Sequence, residues 1–370
     1  MAVLRRRGRA HSVFSHEFVI HNRADIAAAL VLIVLGGLMF EVTAKTAFMF
    51  ISPQHNVTST TPDGDVVYYV YGTSDCATIS FYIFITIILH AVVQEYTLDK
   101  VNKRLHLSKV KHNKVNESGQ LLLFHLGTSA WGIYLAITEG YLSAPSSLWE
   151  DYPHTHLTFQ MKFFYLCQLS YWLHMIPELY FQRVRKEEVP RQLLYIGLYL
   201  VHIAGAYLLN LTRAGLVMAV LQSVAELVFH MARLQYFTNP DRQALFGVWA
   251  VVFVLCRLAT LTLAVLVMGF GLSRVQRQSL DMEHGVFNTL PIRLSVLLSV
   301  CAPQVWMMWR FINFQLRRWR QSRLEQAARR KVAVPTRPAG ARRRDTGQHE
   351  NGLIKSEDGS SPRTRKIRSP

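Results

Sequence analysis

The sequence is short of charge, and shorter still of acid. Charged residues make up 18% of the 370, against about a quarter in soluble domains, and 41 Lys and Arg face only 24 Asp and Glu. The scarcity is uneven. Residues 52–75 and 142–158 contain no Lys or Arg, whereas 317–370 hold 16 Lys and Arg against 5 Asp and Glu, eleven of the seventeen net charges. A basic soluble domain spreads its charge over its surface; here charge collects between long apolar stretches, which argues for a membrane core with basic flanks. No zinc-finger, homeodomain or zipper pattern accompanies the surplus, so it does not indicate nucleic-acid binding as the main function. Paired cysteine motifs are lacking too. Cys76, Cys167, Cys256 and Cys301 fall in or beside apolar stretches, which points to buried thiols rather than a disulfide framework or a zinc site. A cleavage pattern is also missing after the first apolar run, which begins near Ala27. A retained first span acting as a signal anchor is expected.

What the chain does have is apolar length. Eight stretches each supply about 20 residues for a hydrocarbon core roughly 30 Å thick: 26–48, 77–98, 121–141, 159–180, 193–209, 215–234, 246–272 and 294–316. The first, second, seventh and eighth are the clearest. The middle four contain His, Gln, Tyr and Glu, and losing one pair of them leaves six spans without changing the side on which the ends lie. The expected fold is all-α, a polytopic transmembrane helix bundle of about eight spans.

Orientation follows from the short connections. Arg5, Arg6, Arg7 and Arg9 place the amino terminus in the cytosol. The second connection holds Lys100, Lys103, Arg104, Lys109, Lys111 and Lys114, and the fourth holds Arg183, Arg185, Lys186 and Arg191. The sixth is weaker, with Arg233 and Arg242, and the first and third lack cations. Both termini are therefore expected on the cytosolic side. Three N-x-[ST] sequons bear on the same arrangement. Asn56 lies in the first lumenal connection and is the expected glycosylation site; Asn116 falls on the cytosolic side, and Asn210 is wedged between two spans.

Polar residues inside spans are the candidates for function, because exposing them to lipid is costly. The second span ends in His90, Gln94 and Glu95. The fourth contains Gln168, His174 and Glu178, with Pro177 expected to bend it. The fifth and sixth carry His202, Asn210, Arg213, Gln222, Glu226 and His230. Gln222, Glu226 and His230 recur every four residues, a polar stripe that should face the bundle interior or a lateral crevice. His174, Glu178, His202, Asn210, Arg213, Gln222, Glu226 and His230 together form the candidate polar crevice. Helix-to-helix hydrogen bonding competes with it as an explanation, at about 1 kcal/mol per bond. Spacing suggests no metal site and no cofactor. After Val334 the sequence turns to Pro, Gly, Ser, Arg and Asp and is expected to be disordered.

Several stretches carry a family resemblance: HEFVIHNRADI from His16, GLMFEVTAKTAF from Gly37, FYIFITIILHAVVQEY from Phe81 and DKVNKRLHLSKVKH from Asp99. LWEDYPH from Leu148, KFFYLCQLSYWLH from Lys162 and PELYFQRVRKEE from Pro177 continue it. Across its length the chain resembles the translocating chain-associated membrane proteins of the endoplasmic reticulum, in the wider TLC-domain group that includes ceramide synthases. The resemblance implies four segments: 1–25 cytosolic; 26–115 with two spans, a lumenal loop and a basic cytosolic loop; a TLC-type bundle over 116–320; and a basic cytosolic tail over 321–370. It implies a non-enzymatic accessory role beside the protein-conducting channel, with signal sequences, nascent chains, the channel and membrane lipids as partners. The basic tail would add a contact to the ribosome or to anionic lipid. The alternative is a lipid-binding or lipid-modifying protein related to ceramide synthases. The signature of those enzymes has paired histidines, N-x-x-R-x-G, a His-Asp pair and a further Asp. Asn210, Arg213 and Gly215 match its middle, but the His-Asp pair falls on Gln222 and Ser223, the later Asp on Glu226, and the paired histidines on Tyr195 and Ile196. Gln cannot titrate and Ser lacks the carboxylate that orients a base, so the resemblance implies a shared bundle without the acyl-transfer chemistry.

Overall fold

The computed structural model of the chain describes residues 16–61, 64–182, 184–239 and 244–333. The amino-terminal arginines, Arg183, Arg242 and the expected disordered tail lie outside the described residues. A first unit runs to Asn313 and a second begins at Phe314.

Every expected apolar stretch is helical, but the first is not one helix. After α1 (His16–His21), α2 (Arg23–Gly37) is followed by a break and by α3 (Glu41–Ile51). Fifteen residues of α2 reach about 22 Å, short of the roughly 30 Å core. This corrects the reading of 26–48 as one of the clearest spans. Adjacent Gly36 and Gly37 weaken the helix by up to about 1 kcal/mol each, and Phe40 leaves helical geometry at φ −114°, ψ 126°. The Thr43 hydroxyl then donates to the stranded Gly37 carbonyl at 2.7 Å. A Cβ at Gly37 would meet the Ala47 Cβ at 3.2 Å, so the glycine also makes room for α3.

The connection after α3 is a β-hairpin, β1 (Asn56–Thr61) against β2 (Gly64–Tyr69). The Val, Thr and Tyr residues on either side of Pro-Asp-Gly are strand and turn signals. Next, α4 (Asp75–Val93) continues through a π-helical turn (Gln94–Leu98) into α5 (Asp99–Arg104), and α6 (Lys109–Thr138) returns beside it. The basic second connection is thus largely helical. The remaining long helices are α7 (Phe159–Phe181), α8 (Val189–Leu208), α9 (Thr212–Thr238) and α10 (Ala244–Ala264). A second π-helical turn (Val265–Gly271) leads into α11 (Leu272–Arg274), then a short ladder of β3 (Leu280–Asp281) with β4 (Val286–Phe287), then α12 (Leu290–Ala333).

Five helices among the described residues are long and apolar enough to cross a membrane: Asp75–Arg104, Lys111–Thr138, Thr212–Thr238, Ala244–Arg274 and Leu290–Ala327. Helices α7 and α8 have the length, 23 and 20 residues, but bring more polar side chains. The core lies where α6, α7, α8 and α9 meet, around Leu135, Phe164, Leu166, Trp172, Leu216 and Val217. Trp172 stacks on Tyr199 with centroids 3.8 Å apart, tying α7 to α8. At Gly215 an added Cβ would lie 2.5 Å from both Ala206 Cβ and the Tyr165 hydroxyl, so only glycine permits this approach of α9 to α7 and α8. In the second unit the described part of α12 is basic and exposed, and Arg323 lies over the Trp319 ring at 4.3 Å.

Candidate functional site

Helices α6 to α10 and the first turns of α12 enclose a cavity of about 390 Å³. Most of its wall is apolar, including Phe124, Phe164, Met218 and Met268, and its polar wall groups are amides, hydroxyls and one imidazole, His202. Val201, Ser295 and Ser299 line it and are exposed, so it opens sideways between α8 and α12. Pro303 explains what closes part of that opening. Lacking an N–H, it leaves the carbonyl four residues earlier, on Ser299, without its helical donor. His202 Nε2 lies 3.0 Å from that carbonyl, and His202 Nδ1 lies 2.6 Å from the Leu198 carbonyl on its own helix.

The polar side of the cavity is a network centred on Arg257, in the middle of α10. Arg257 Nη1 donates to the side-chain oxygens of Gln222 and Gln304, the latter at 2.7 Å. Its Nη2 is 3.8 Å from Glu226 Oε1. Gln222 in turn donates to the Tyr199 hydroxyl at 2.8 Å and to Glu226 at 2.9 Å. Gln222 and Gln304 line the cavity, whereas Arg257 and Glu226 stand behind them. The charges are therefore shielded from the opening by neutral amides. Glu226 Oε2 is 3.9 Å from His230, and His230 stacks on buried His125 with centroids 6.0 Å apart.

The eight residues of the expected crevice do not line one crevice. Of them, His202 and Gln222 reach the cavity. Glu226 and His230 face Arg257 and His125, because the face of α9 that carries them packs against α6 and α10 rather than α8. At the opposite end of α9, the Asn210 side chain donates to the Gly285 carbonyl at 2.8 Å and Arg213 to the Ser147 carbonyl at 2.8 Å. These contacts fasten the α8–α9 corner to the connections around it. His154 lies nearby, where burial and the Arg213 guanidinium hold its imidazole down at about 4.

His174 and Glu178 belong to a separate cluster, at the end of the bundle that carries the basic connections. His90 joins them: its Nδ1 is 3.4 Å from His174 Nε2 and its Nε2 is 3.4 Å from Glu178 Oε1. Arg23 and Gln182 both donate to that same carboxylate oxygen, at 3.3 and 3.1 Å. The contacts join α2, α4 and α7. Among the described residues there is no group of three or more His, Cys, Asp and Glu placed to hold a metal ion.

Asn56 is exposed on β1. Asn116 sits within α6 with its sequon serine, Ser118, buried, and Asn210 is buried with its amide engaged.

Two charged residues escaped sequence reasoning. Arg257 is the sole cation in the 246–272 stretch, and an isolated arginine at membrane depth is itself a signal. Lys162 is fully buried, 2.7 Å from Asp75, and donates to the carbonyls of Gln54 and Val70. Tyr207 donates to the other Asp75 oxygen at 2.8 Å. That set locks the hairpin connection onto α4, α7 and α8.

The TLC-domain family model matches residues 114–313. The chain is 63% identical to translocating chain-associated membrane protein 2 of Homo sapiens and 62% identical to that of Mus musculus, each over 99% of both chains. It is 30% identical to ceramide synthase 4 of Mus musculus over 141 residues, 37% of this chain and 35% of that enzyme.

Proposed function

The chain belongs to the family of translocating chain-associated membrane proteins, which carry a TLC domain, and from that membership we propose that it assists nascent secretory and membrane proteins at the translocon of the endoplasmic reticulum. It acts as a non-enzymatic accessory beside the protein-conducting channel. Signal sequences and spans leaving the channel sideways meet the opening between α8 and α12. Both termini face the cytosol, and the basic tail is a contact for the ribosome or anionic lipid. The bundle over 116–320 provides the opening, and the segment over 26–115, whose first crossing is the broken pair α2 and α3, packs beside it.

One observation carries this reading. Tyr195, Gln222 and Ser223, which stand where the ceramide synthase signature has titratable residues, all line the cavity. Gln222 is held by Arg257 and Tyr199, and an amide cannot take up a proton as the histidine of that signature does. The cavity receives side chains and does not transform them.

The test plugs the cavity without touching the network. Gly205 lines it, and a side chain there projects into open space. In Gly205→Leu, crosslinking of nascent chains whose signals have few apolar residues should fall at unchanged protein abundance. Unchanged crosslinking overturns the reading. Likeness to ceramide synthase 4 and the apolar wall favour a second reading, a lipid-modifying protein. Acylated product from purified protein supplied with sphingoid base and acyl-coenzyme A would establish it.

A further inference from the structure

A second cleft, of about 430 Å³, lies between two connections and shares no lining residue with the cavity. One wall is 149–152, from the connection that follows α6, and the other is 274–277, at the end of α11 and just beyond it. The walls carry opposite charge. Glu150 and Asp151 stand on the first, Arg274 and Arg277 on the second, and all four are exposed. Among the described residues none of the four has an ion-pair partner. Every carboxylate oxygen of the one wall therefore stands more than 4 Å from every guanidinium nitrogen of the other.

Buried anchors hold the walls apart. Trp149 packs its indole on Gly271, where an added Cβ would lie 2.4 Å from the ring, so the acidic wall is footed at the base of the basic one. Tyr152 donates to the Leu209 carbonyl at 2.9 Å and accepts from the Phe287 N–H at 3.1 Å. Asp151, between these two aromatic anchors, takes a left-handed backbone at φ 57°, a conformation that persists where its surroundings fix it. On the other wall, the Asn288 amide donates to the carbonyls of Leu272 and Arg277 at 2.8 and 3.0 Å. The spacing of the four charges is thus set by backbone and packing, not by attraction between them.

Depth and charge together identify the ligand. Arg274 lies two residues, about 3 Å, past Leu272, where the apolar stretch ends, and so within the headgroup layer of about 5–7 Å on each side of the core. Interfacial Arg and Trp are ordinary anchors. Two carboxylates facing two unpaired guanidiniums across a fixed cleft go beyond that pattern, and they match a molecule that carries an anion and a cation on one short frame. We propose that the cleft binds the zwitterionic headgroup of a phospholipid, with its phosphate on Arg274 and Arg277 and its ammonium between Glu150, Asp151 and the Trp149 ring. An anionic headgroup would set its charge against the acidic wall, and a free amine would leave the basic wall without a counter-charge. The proposed orientation enters only as the leaflet, the lumenal one, and failure here leaves the cavity reading untouched.

The test uses the full-length protein in maltoside detergent, which carries neither phosphate nor ammonium, titrated by calorimetry with glycerophosphoethanolamine and glycerophosphocholine. Both should bind saturably, and glycerol phosphate or ethanolamine alone about tenfold or more weakly, because joining two contacts makes the second intramolecular. R274Q/R277Q and E150Q/D151N should each weaken binding about three- to tenfold, two exposed charge contacts being lost in each. The charge-keeping R274K/R277K and E150D/D151E should recover most of that loss, which separates it from misfolding. Phosphatidylethanolamine and phosphatidylcholine that co-purify with the protein, weighed by native mass spectrometry, should fall in both amide variants. No saturable binding, parental affinity in E150Q/D151N, or glycerol phosphate binding as tightly as the zwitterions overturns the proposal. So does unchanged co-purified lipid beside lost binding of the soluble headgroups, which would assign the cleft to a free solute. Tighter binding of an end-blocked Lys-Glu dipeptide also overturns it, by assigning the cleft to polypeptide.

Discussion

Arg257→Leu should destabilise the bundle by about 3–5 kcal/mol, the cost of breaking a buried charge pair from one side. The structure shows what is stranded: the side-chain oxygens of Gln222 and Gln304 lose their shared donor, and the Glu226 carboxylate loses its nearest cation. If Arg257 contributed only ordinary interhelical hydrogen bonds, three contacts at about 0.6 kcal/mol would total roughly 2. The two accounts are separable. Arg257→Leu with Glu226→Leu removes both charges and should recover most of the loss, leaving about 1 kcal/mol or more for the unpaired amide oxygens. Arg257→Lys should fall between, since one ammonium lacks the planar fork that serves both amides and the carboxylate together. The assay is thermal unfolding of the purified protein in bicelles, with the parent, Arg257→Leu, Glu226→Leu and the double leucine variant forming a double-mutant cycle. At roughly 2 °C per kcal/mol for a chain of this size, the single leucine variant should lose about 6–10 °C. A loss under about 1 kcal/mol, or a double variant as impaired as the sum of the singles, would refute the network as an electrostatic unit.

Asn56→Gln should remove all N-linked glycan, seen as one increment of gel mobility that endoglycosidase no longer changes; glycan surviving on Asn116 would invert the proposed orientation. His154 should make stability fall with acid. Its unfolded imidazole takes up a proton near 6.5 while the folded one stays neutral down to about 4. Stability is therefore full above 6.5 and is lost progressively between 6.5 and 4, by up to about 3 kcal/mol. Unfolding midpoints at pH 7 and 4.5 should converge in His154→Gln relative to the parent, and an unchanged difference would count against a buried neutral imidazole.

How much of this was legible in the sequence varies from element to element. Apolar length located the long helices, because satisfying backbone groups in lipid leaves few alternatives to a helix, but not α1, α5 or the first turns of α6, which lie in polar sequence. It failed at 38–40, since Leu38, Met39 and Phe40 are as apolar as their surroundings and hydropathy averages across a break. The signal there was conformational, in Gly36 and Gly37. The hairpin at 56–69 was written in the Val, Thr and Tyr residues on either side of Pro-Asp-Gly. The candidate crevice was harder. Gln222, Glu226 and His230 share a face of α9, but a helical face spans two neighbours, and sequence does not say which neighbour each residue meets. His90 reached His174 and Glu178, and Arg257 reached Gln222, across 84 and 35 positions. Periodicity within a single helix does not report such pairings.

The saturation of Gln222 bears on why a bundle read as non-enzymatic would keep charges in its interior. Its oxygen is taken by Arg257, and its amide hydrogens by Tyr199 and Glu226. Gln304 is likewise turned toward Arg257. On the proposed reading, Gln222 gives the cavity floor an amide whose hydrogen bonds are already spent inward, and Gln304 has its oxygen engaged the same way. A guest gains little from offering a matching polar group and loses little by lacking one. Strong discrimination arises where a site holds polar groups that only the right ligand satisfies. A floor saturated by its own protein does the reverse, and so suits signal sequences that share apolar character but not side-chain pattern. Arg257→Leu then gains a second consequence: with Gln222 and Gln304 released, a protein that remains folded should come to favour segments carrying a hydrogen-bond donor over purely apolar ones.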